Sequence, residues 1–498
     1  MFYDYLLVNS TNEFLEEYTD LSENARYKLT GFSGSTGDAL LSKSGKIFLF
    51  VDGRYHAQAD LEVDHSKVEV VKLQVGESFL EKLFDKIEPN STFAIVSKKN
   101  SYYRYKLIEA LALNKRIKPI LLNSDPILPC VGDAPSDNSV KIDLGKSTLE
   151  KIKELTKYLK DDDALFTSNQ EEISYLLNKR DFSKNYSSSV KKQKIIITKQ
   201  GIFDENYKVK GQIFADEKTT NAYDFLRLNA RYLPNNPIAL MKAVKSAEEI
   251  AHYQYCFNCA DNAVLATKKF INENDNLSEF DIAQKLEENF KKFGAKSLSF
   301  KSIVAKDKNS ALAHYSKNSK KEVLKDGSLV LIDCGAYYDG GLATDCTRVF
   351  VKGQPSSLQK EVYTKVLKAF LNAISFNVTP LTTGYDLDKI ARDILNGIKP
   401  QGFEFSHSLG HGIGISVHEN PPSLSPSEVG KVPLKPNMCF TIEPGLYNAE
   451  HFGIRLENSC YLDENYQIVS FSKLPFEEKL IDSSLLTEKE KEVLSQWM

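Results

Sequence analysis

Acidic residues with the spacing of a metal site occur within apolar, strand-like runs in the C-terminal half of the sequence. Asp333 and Asp345 lie six residues either side of Asp339 in LIDCGAYYDGGLATDCTR, and Asp339-Gly340-Gly341 is a strong hairpin signal. A hairpin that turns symmetrically about Asp339 would place the two carboxylates opposite each other, with Cβ atoms about 5 Å apart. Like charges in that position repel each other, and a divalent cation between them offsets the repulsion.

A second acidic pair repeats the pattern further along the chain. Glu443 and Glu457 lie seven residues either side of Glu450 in MCFTIEPGLYNAEHFGIRLENSCYL. A hairpin centred on Glu450 would again place two carboxylates opposite each other. For either pair alone, solvent-facing acids on an edge strand explain the pattern equally well. Two such pairs amid apolar residues favour a metal site.

Histidines are concentrated between the two predicted hairpins. His407, His411 and His418 lie within twelve residues of the glycine-rich FSHSLGHGIGISVHEN, whereas His314 in SALAHYSK has little local evidence of its own. HSLGH lacks the glutamate of a helical HExxH zinc motif, so a zincin is not favoured. Four carboxylates and one neutral imidazole carry a formal charge that two divalent ions would neutralise. Such a set favours harder ions such as Mn²⁺ over thiolate-type zinc sites.

These motifs taken together resemble a known protein family. LIDCGAYYDGGLATDCTR, HSLGHGIGISVHE, TIEPGLY and GIRLENS resemble the dinuclear-metal peptidases of the pita-bread fold, and within that fold the Xaa-Pro aminopeptidases. GFSGSTGDALL and VDGRYHAQAD resemble the N-terminal domain of the three-domain cytosolic-type enzymes, and NPIALMKAVKSAEEI resembles the helix that opens their catalytic domain. The resemblance covers most of the chain and is weak across about residues 180 to 225.

The resemblance implies a role for each residue that matches a family motif. The implied metal ligands, with Asp345 and Glu457 as the bridging pair, are Asp333, Asp345, His411, Glu443 and Glu457. The histidines that match positions contacting substrate or shuttling protons are His314, His407 and His418.

Two arginines also match family positions, and one spacing departs from the family pattern. Arg54 in VDGRY matches an arginine that reaches the bound peptide, and Arg455 is expected to orient the site around Glu457. Asp333 and Asp345 are twelve residues apart, whereas relatives usually have eleven. A three-residue loop with a left-handed glycine would absorb the extra residue in the turn.

The resemblance and the chemistry of paired metal ions together predict a mechanism. Two divalent ions per subunit, Mn²⁺ first and Zn²⁺ or Co²⁺ as alternatives, would share a hydroxide that attacks a peptide bond. The bond would follow the first residue of a peptide whose second residue is proline, a specificity that rests on the resemblance alone. Glu443 would take and return the proton, and a protonated His418 or His407 would stabilise the oxyanion.

Three other functions stay open at this point. A prolidase would cleave only Xaa-Pro dipeptides, and the three-domain layout disfavours it. A creatinase-like C–N hydrolase works without metal and lacks the full acidic set. A non-catalytic pita-bread domain would bind peptides or partners, although five retained ligands have little purpose there.

The elements that must position these residues read as an α/β protein. Strand and helix signals alternate over about the first 125 residues, and the Pro-rich DPILPCVGDAPSDNS predicts a boundary there. A weaker α/β pattern follows, and Pro237 then opens a long helix in which Ser246 and Glu249 resemble a capping box. The expected domains are two creatinase-like domains, residues 1–125 and 126–236, followed by a pita-bread catalytic domain, residues 237–498.

Composition limits the classes of partner. The 64 basic and 67 acidic residues among 498 leave a net charge of -3, which argues against a nucleic-acid binder. The sequence contains no 18-residue apolar run that would predict a membrane span. Its first residues lack the basic region of a secretory signal. Seven cysteines without framework spacing favour a reducing cytoplasmic location, with Cys256 and Cys259 as buried free thiols. Relatives commonly form homodimers, so the resemblance implies a homodimer here.

Overall fold

The computed structural model describes residues 2–74, 76–128, 137–184 and 186–498. Cys130 and most of the predicted Pro-rich boundary lie outside these residues. The chain forms two compact units. The first contains Met1–Asp137, Ser147–Leu177 and Val190–Ile238, and the second contains Asn138–Lys146, Asn178–Ser189 and Ala239–Met498. The division into domains 1–125, 126–236 and 237–498 stays a prediction.

The first unit begins with a six-stranded mixed sheet whose strands follow the order β4-β3-β2-β1-β5-β6. Its elements are β1 (Tyr5–Val8), α1 (Ala25–Thr30), β2 (Asp38–Ser42), β3 (Ile47–Val51), α2 (His56–Glu62), β4 (Val68–Lys72), α3 (Phe79–Phe84), β5 (Thr92–Val96), α4 (Tyr102–Asn114) and β6 (Lys118–Leu122). Leu6 and Leu7 pack into different apolar clusters because successive side chains of a strand point to opposite faces. The sheet is therefore covered on both faces.

A second, five-stranded sheet in this unit has the order β11-β10-β8-β12-β13. The elements of this stretch are β7 (Val140–Lys141), α5 (Thr148–Leu155), β8 (Ala164–Thr167), α6 (Gln170–Leu177), β9 (Lys179–Arg180), β10 (Ile195–Thr198), β11 (Gly201–Asp204), β12 (Ile213–Ala215), α7 (Ala222–Arg227) and β13 (Arg231–Tyr232). Strands β7 and β9 pair with each other and belong to the second unit.

The second unit is built around an eight-stranded antiparallel sheet. The order is β15-β16-β18-β24-β21-β19-β20, with β25 paired to β24. Its elements are α8 (Pro237–Ala243), α9 (Ala247–Glu273), α10 (Glu279–Lys292), β14 (Ser297–Leu298), β15 (Ile303–Lys306), β16 (Leu329–Cys334), β17 (Ala336–Tyr337), β18 (Cys346–Val351), α11 (Ser357–Ile374), α12 (Gly384–Ile398), β19 (Gly410–Gly412), β20 (Glu419–Leu424), β21 (Cys439–Ile442), β22 (Gly445–Tyr447), β23 (Gly453–Arg455), β24 (Glu457–Leu462), β25 (Ile468–Ser470) and α13 (Glu488–Leu494). The predicted α/β class is confirmed.

The helix predicted from Pro237 onward is two helices. Pro237 starts α8, where its missing N–H costs nothing, and α8 ends at Ala243. The predicted capping box is present: Ser246 N donates to Glu249 Oε2 at 2.8 Å, and Glu249 N donates to Ser246 Oγ at 3.2 Å. Because a capping box marks a helix start, Ser246 opens the separate helix α9.

Alternation along β16 divides the core of the second unit into two layers. Leu329 and Leu331 pack in one layer with residues of α11 and α12, whereas Val330 and Ile332 pack in the other with residues of α9 and α10. Cys334 and Cys346 lie in the α9–α10 layer as buried free thiols. Both cysteines therefore pack in the apolar core of this layer.

The six cysteines of the described residues are all free and buried. Within the same residues, no helix has the length and apolar character needed to cross a membrane.

Candidate metal centre

The first hairpin brings Asp333 and Asp345 to one face of the sheet, but not directly opposite each other. In the register of β16 and β18, Asp333 is opposite Thr347 and Cys334 is opposite Cys346. The predicted direct pairing is therefore wrong by two residues. The turn is centred one residue later than predicted, because Gly341, with φ +62°, donates its N–H to the carbonyl of Tyr338. A two-residue shift keeps both carboxylates on the same face.

The second hairpin has the predicted register. Ile442 of β21 is opposite Asn458 of β24, and Gly445 of β22 is opposite Arg455 of β23. Both pairs are symmetrical about Glu450, so Glu443 faces Glu457. This part of the prediction is confirmed.

Thr347 joins the two hairpins. It lies opposite Asp333 on one side and opposite Glu457 on the other. Its buried hydroxyl donates to Glu457 Oε2 at 2.7 Å and accepts from Arg455 Nε at 3.2 Å. Thr347 was not predicted, although the two-residue period of a strand already places it on the same face as Asp345.

His411 brings an imidazole to the carboxylates from strand β19. Ligand atoms of Asp345, His411 and Glu457 all lie within 4.8 Å of one another. His411 Nε2 is 3.6 Å from Asp345 Oδ2 and 3.5 Å from Glu443 Oε1. The other ring nitrogen, Nδ1, is 3.1 Å from the Gly412 carbonyl, which orients Nε2 toward the acids.

A glycine allows β19 to approach the neighbouring strand. A Cβ atom on Gly410 would lie 2.0 Å from the Thr441 carbonyl oxygen of β21. His411 N in turn donates to Thr441 Oγ1 at 3.2 Å. The glycine beside His411 is therefore a requirement of close backbone packing.

The electrostatics of the cluster favour a bound cation. Burial, and then the charge of Asp333, raise the pKa of Glu457 to about 8. Burial, and then Glu457 and Asp333, raise the pKa of Asp345 well above its ordinary value. Oδ1 of Asp333 and Oδ1 of Asp345 are buried without a hydrogen-bond partner among the described residues. Buried oxygens of this kind are what a divalent cation satisfies, so the residues present fit a metal site.

Arg455 and Tyr447 connect this cluster to His407. Arg455 Nη2 donates to Asp333 Oδ2 at 2.5 Å, and Nη1 donates to Tyr447 Oη at 2.8 Å. The same Tyr447 oxygen is 2.8 Å from His407 Nε2. Arg455 thus bonds Asp333 directly and reaches Glu457 through Thr347. Tyr447 was missed, although it ends the TIEPGLY motif.

The other predicted site residues are His418, His314 and Arg54. The ring of His418 meets that of His411 edge to face, with 4.3 Å between centroids. His314 is half-buried and follows β15 by eight residues. Arg54 lies in the first unit, where its guanidinium pairs with Asp52 at 2.8 Å and donates to Thr36 Oγ1 at 3.1 Å. Its predicted reach to a bound peptide stays a prediction.

The class of protein is given by a family match to the part of the chain that carries this site. Residues 251–464, which contain all five predicted metal ligands, match metallopeptidase family M24. The predicted resemblance to dinuclear-metal peptidases is confirmed.

Individual relatives match either almost the whole chain or less than half of it. The chain is 26% identical to Xaa-Pro aminopeptidase 1 of Dictyostelium discoideum, over 97% of this chain and 87% of that protein. It is 37% identical to an Xaa-Pro dipeptidase of Pyrococcus furiosus, but over only 45% of this chain and 62% of that protein. The crystal structure of X-prolyl aminopeptidase from Caenorhabditis elegans, described as a cytosolic enzyme with a di-nuclear active site, matches with a TM-score of 0.87. That match has 21% identity and covers 99% of this chain and 92% of the other, so the two chains share a fold.

Proposed function

We propose that this protein is a metal-dependent aminopeptidase that hydrolyses the bond between an N-terminal residue and a following proline. The observation that carries the proposal is the full-length similarity to an Xaa-Pro aminopeptidase, over 97% of this chain. The buried cluster around Asp345, His411 and Glu457 supports the metal dependence.

The ligands in this proposal are the residues of the two hairpins and of β19. The residues that would hold the metal ions are Asp333, Asp345, His411, Glu443 and Glu457. The preponderance of carboxylate oxygens favours Mn²⁺. Two bound divalent ions would supply Lewis acidity toward the scissile carbonyl and lower the pKa of a nearby water.

The side chains of the protein carry the proton transfers in this proposal. Glu443 takes the proton of the attacking water and returns it to the proline nitrogen as the C–N bond breaks. His418 or His407 stabilises the negative charge that develops on the carbonyl oxygen. His314 contributes to substrate binding, while Arg455 holds Asp333 in place through the bond of 2.5 Å.

Specificity for proline has a physical basis in the substrate. An imide bond before proline has no N–H and the ring fixes φ, so sites that need an amide donor fit it poorly. A role of Arg54 in binding the peptide is proposed from the family resemblance alone.

The alternative of a prolidase is less supported. The similarity to an Xaa-Pro dipeptidase covers 45% of this chain, whereas the similarity to the Dictyostelium aminopeptidase covers 97%. The part of the chain outside the dipeptidase match therefore favours the aminopeptidase. No observation favours the non-catalytic module.

The test is an assay of the purified protein on matched peptides, with metal analysis of the same sample. Release of the first residue from Xaa-Pro-Yaa tripeptides, loss of that activity with chelator, and recovery with Mn²⁺ would support the proposal. Zn²⁺ and Co²⁺ should be tested in parallel. Cleavage of Xaa-Pro dipeptides alone would favour the prolidase, and chelator-insensitive activity would overturn the metal dependence.

We also propose a cytoplasmic homodimer of three-domain subunits. The proposal for the location rests on the reduced cysteines of the described residues and on the cytosolic enzyme from Caenorhabditis elegans with the same fold. Light scattering on the purified protein tests the oligomeric state, since a monomer would contradict it.

A further inference from the structure

His407 lies on a backbone segment that helix α12 holds in place. Asp388, on the buried face of α12, has no exposed surface. Arg392 lies one turn later on the same helix, and its Nη2 and Nε donate to the two Asp388 oxygens at 2.8 Å each. This geometry is the planar, two-point arginine–carboxylate pair, which fixes both side chains.

The remaining N–H groups of Arg392 donate to the backbone segment that carries His407, residues 405–409. Nη2 donates to the His407 carbonyl at 2.8 Å, and Nη1 donates to the Phe405 carbonyl at 3.3 Å. The guanidinium also lies over the Phe405 ring, 4.4 Å from its centroid. Arg392 therefore fixes the backbone at Phe405 and at His407.

The next residues of the segment connect the same pair to Glu443. Leu409 N donates to Asp388 Oδ1 at 2.9 Å, and the Leu409 carbonyl accepts from Glu443 N at 2.8 Å. The His407 ring extends from this segment to Tyr447 Oη at 2.8 Å. One ion pair, whose carboxylate is fully buried, thus sets the backbone of two residues of the site.

We propose that Asp388 and Arg392 are positioning residues that set the orientation of His407 and Glu443 for catalysis. The inference rests on the proposed aminopeptidase function. Neither residue needs to touch substrate, since both act through the backbone of Phe405, His407 and Leu409. Misplacement of a catalytic group by about 1 Å costs on the order of a hundredfold in rate.

The experiment compares two variants of Arg392 with a matched control. R392K keeps the charge beside Asp388 but lacks the planar fork, and R392M removes the charge. The control is K389M, which breaks an exposed ion pair with Asp393 at the same spacing on α12. We expect kcat on an Xaa-Pro-Yaa peptide to fall about tenfold or more in R392K, with KM and metal content little changed and K389M unaffected. If R392M does not fold, R392K alone decides.

A double-mutant cycle separates positioning from a general structural role. In an H407A background, the fold loss caused by R392K should be smaller than in the wild type, because the part that acts through His407 is already lost. Wild-type kcat in R392K, or the same fold loss in both backgrounds, would overturn the inference.

A readout without turnover separates this inference from the proposed function. In the protein loaded with diamagnetic Zn²⁺, the NMR signal of the His407 ring, assigned by its loss in H407A, should shift in R392K and stay in place in K389M. An unshifted signal would overturn the positioning role. A wild-type protein that cleaves no Xaa-Pro peptide would instead refute the proposed function.

Discussion

Two glutamates of the second hairpin, Glu443 and Glu450, differ in their exposure to solvent. Glu443 is half-buried, and its Oε1 lies 3.5 Å from His411 Nε2. Glu450 is at the tip, with 84% of its side chain exposed. The difference in environment predicts a difference in function between the two residues.

The substitution Glu443→Gln should abolish turnover while leaving the fold intact. The amide has nearly the same shape but cannot take a proton from water or serve as an anionic ligand. We expect kcat to fall by at least about a thousandfold, which a peptide-cleavage assay measures. The control Glu450→Gln should keep wild-type activity, and near-wild-type turnover in Glu443→Gln would reject its role.

Each histidine segment of the site contains or meets a buried carboxylate outside the proposed ligand set. Glu279 accepts from Lys306 N, Asn309 Nδ2, Tyr315 Oη and Ser319 N, which surround His314 in sequence. Asp388 holds the segment of His407, and Glu419 directly follows His418. The shared arrangement indicates that loops with functional side chains are fixed by internal ion pairs and hydrogen bonds.

Glu419 predicts a pH dependence of stability. Burial alone raises the pKa of its carboxyl, but the charges of Lys242 and Lys245 outweigh burial and lower the pKa to about 2. The pKa of Glu419 in the folded protein is below its ordinary value of 4.5. The ionised carboxylate therefore stabilises the fold above pH 4.5, and this stabilisation is lost as the pH falls toward 2. It amounts to about 3 kcal/mol.

The variant Glu419→Gln tests this dependence. It leaves two buried lysines without their carboxylate, so it should lower stability at pH 7 by about 3–5 kcal/mol. Its unfolding temperature should fall less between pH 4.5 and 2 than that of the wild type. Glu428→Gln, a change at an exposed carboxylate, is the control, and equal acid sensitivity of all three proteins would contradict the prediction.

The first hairpin depends on close backbone approach at Gly335. A Cβ atom there would lie 1.8 Å from the Thr344 carbonyl oxygen, a contact that only a backbone shift relieves. Gly335→Ala should therefore destabilise the protein by about 1–3 kcal/mol or more and weaken metal binding. Thermal unfolding and metal titration measure both effects.

A glycine in α12 offers the matched control. A Cβ atom on Gly397 meets nothing within 4 Å, and the residue lies in the last turn of the helix. Gly397→Ala should be neutral or stabilising by up to about 1 kcal/mol. Equal destabilisation by the two substitutions would refute the steric argument.

Metal binding should stabilise the whole protein. In the metal-free state burial, and then repulsion by Asp333, raises the pKa of Glu457 to about 8. Mn²⁺ at a hundred times its dissociation constant should add about 2.7 kcal/mol of stability. Since the ligands must be deprotonated, the rise in unfolding temperature should be larger at pH 8 than at pH 6. Asp345→Asn, which removes a proposed ligand, is the control and should show a smaller rise. A wild-type unfolding temperature that Mn²⁺ leaves unchanged would argue against the site.

Local patterns predicted most of the elements that carry the site. The Asp339-Gly340-Gly341 signal located the first hairpin, and the symmetry of two glutamates about Glu450 located the second and gave its correct register. The first register was wrong because a turn with a left-handed Gly341 shifts the centre by one residue, which spacing alone does not reveal. The helix break before Ser246 was missed because apolar spacing continues across it.

Contacts between distant parts of the chain could not be predicted. The bond of Tyr447 with His407 and the pairing of Thr347 with Glu457 depend on how strands are ordered in the sheet. Arg180 Nε donates to the Gly341 carbonyl at 3.3 Å, and Ser188 Oγ donates to the same oxygen at 2.8 Å. No periodicity or motif around these residues signals such partners.

The contacts of Arg180 and Ser188 have a consequence for biosynthesis. Residues 178–189 leave the ribosome about 150 residues before Gly341, whose carbonyl accepts from both Arg180 and Ser188. At about 5–20 residues per second, this interval lasts on the order of ten seconds or more. During this time the nascent stretch waits without that carbonyl acceptor, so chaperones that shield it should raise the yield of active enzyme in cells.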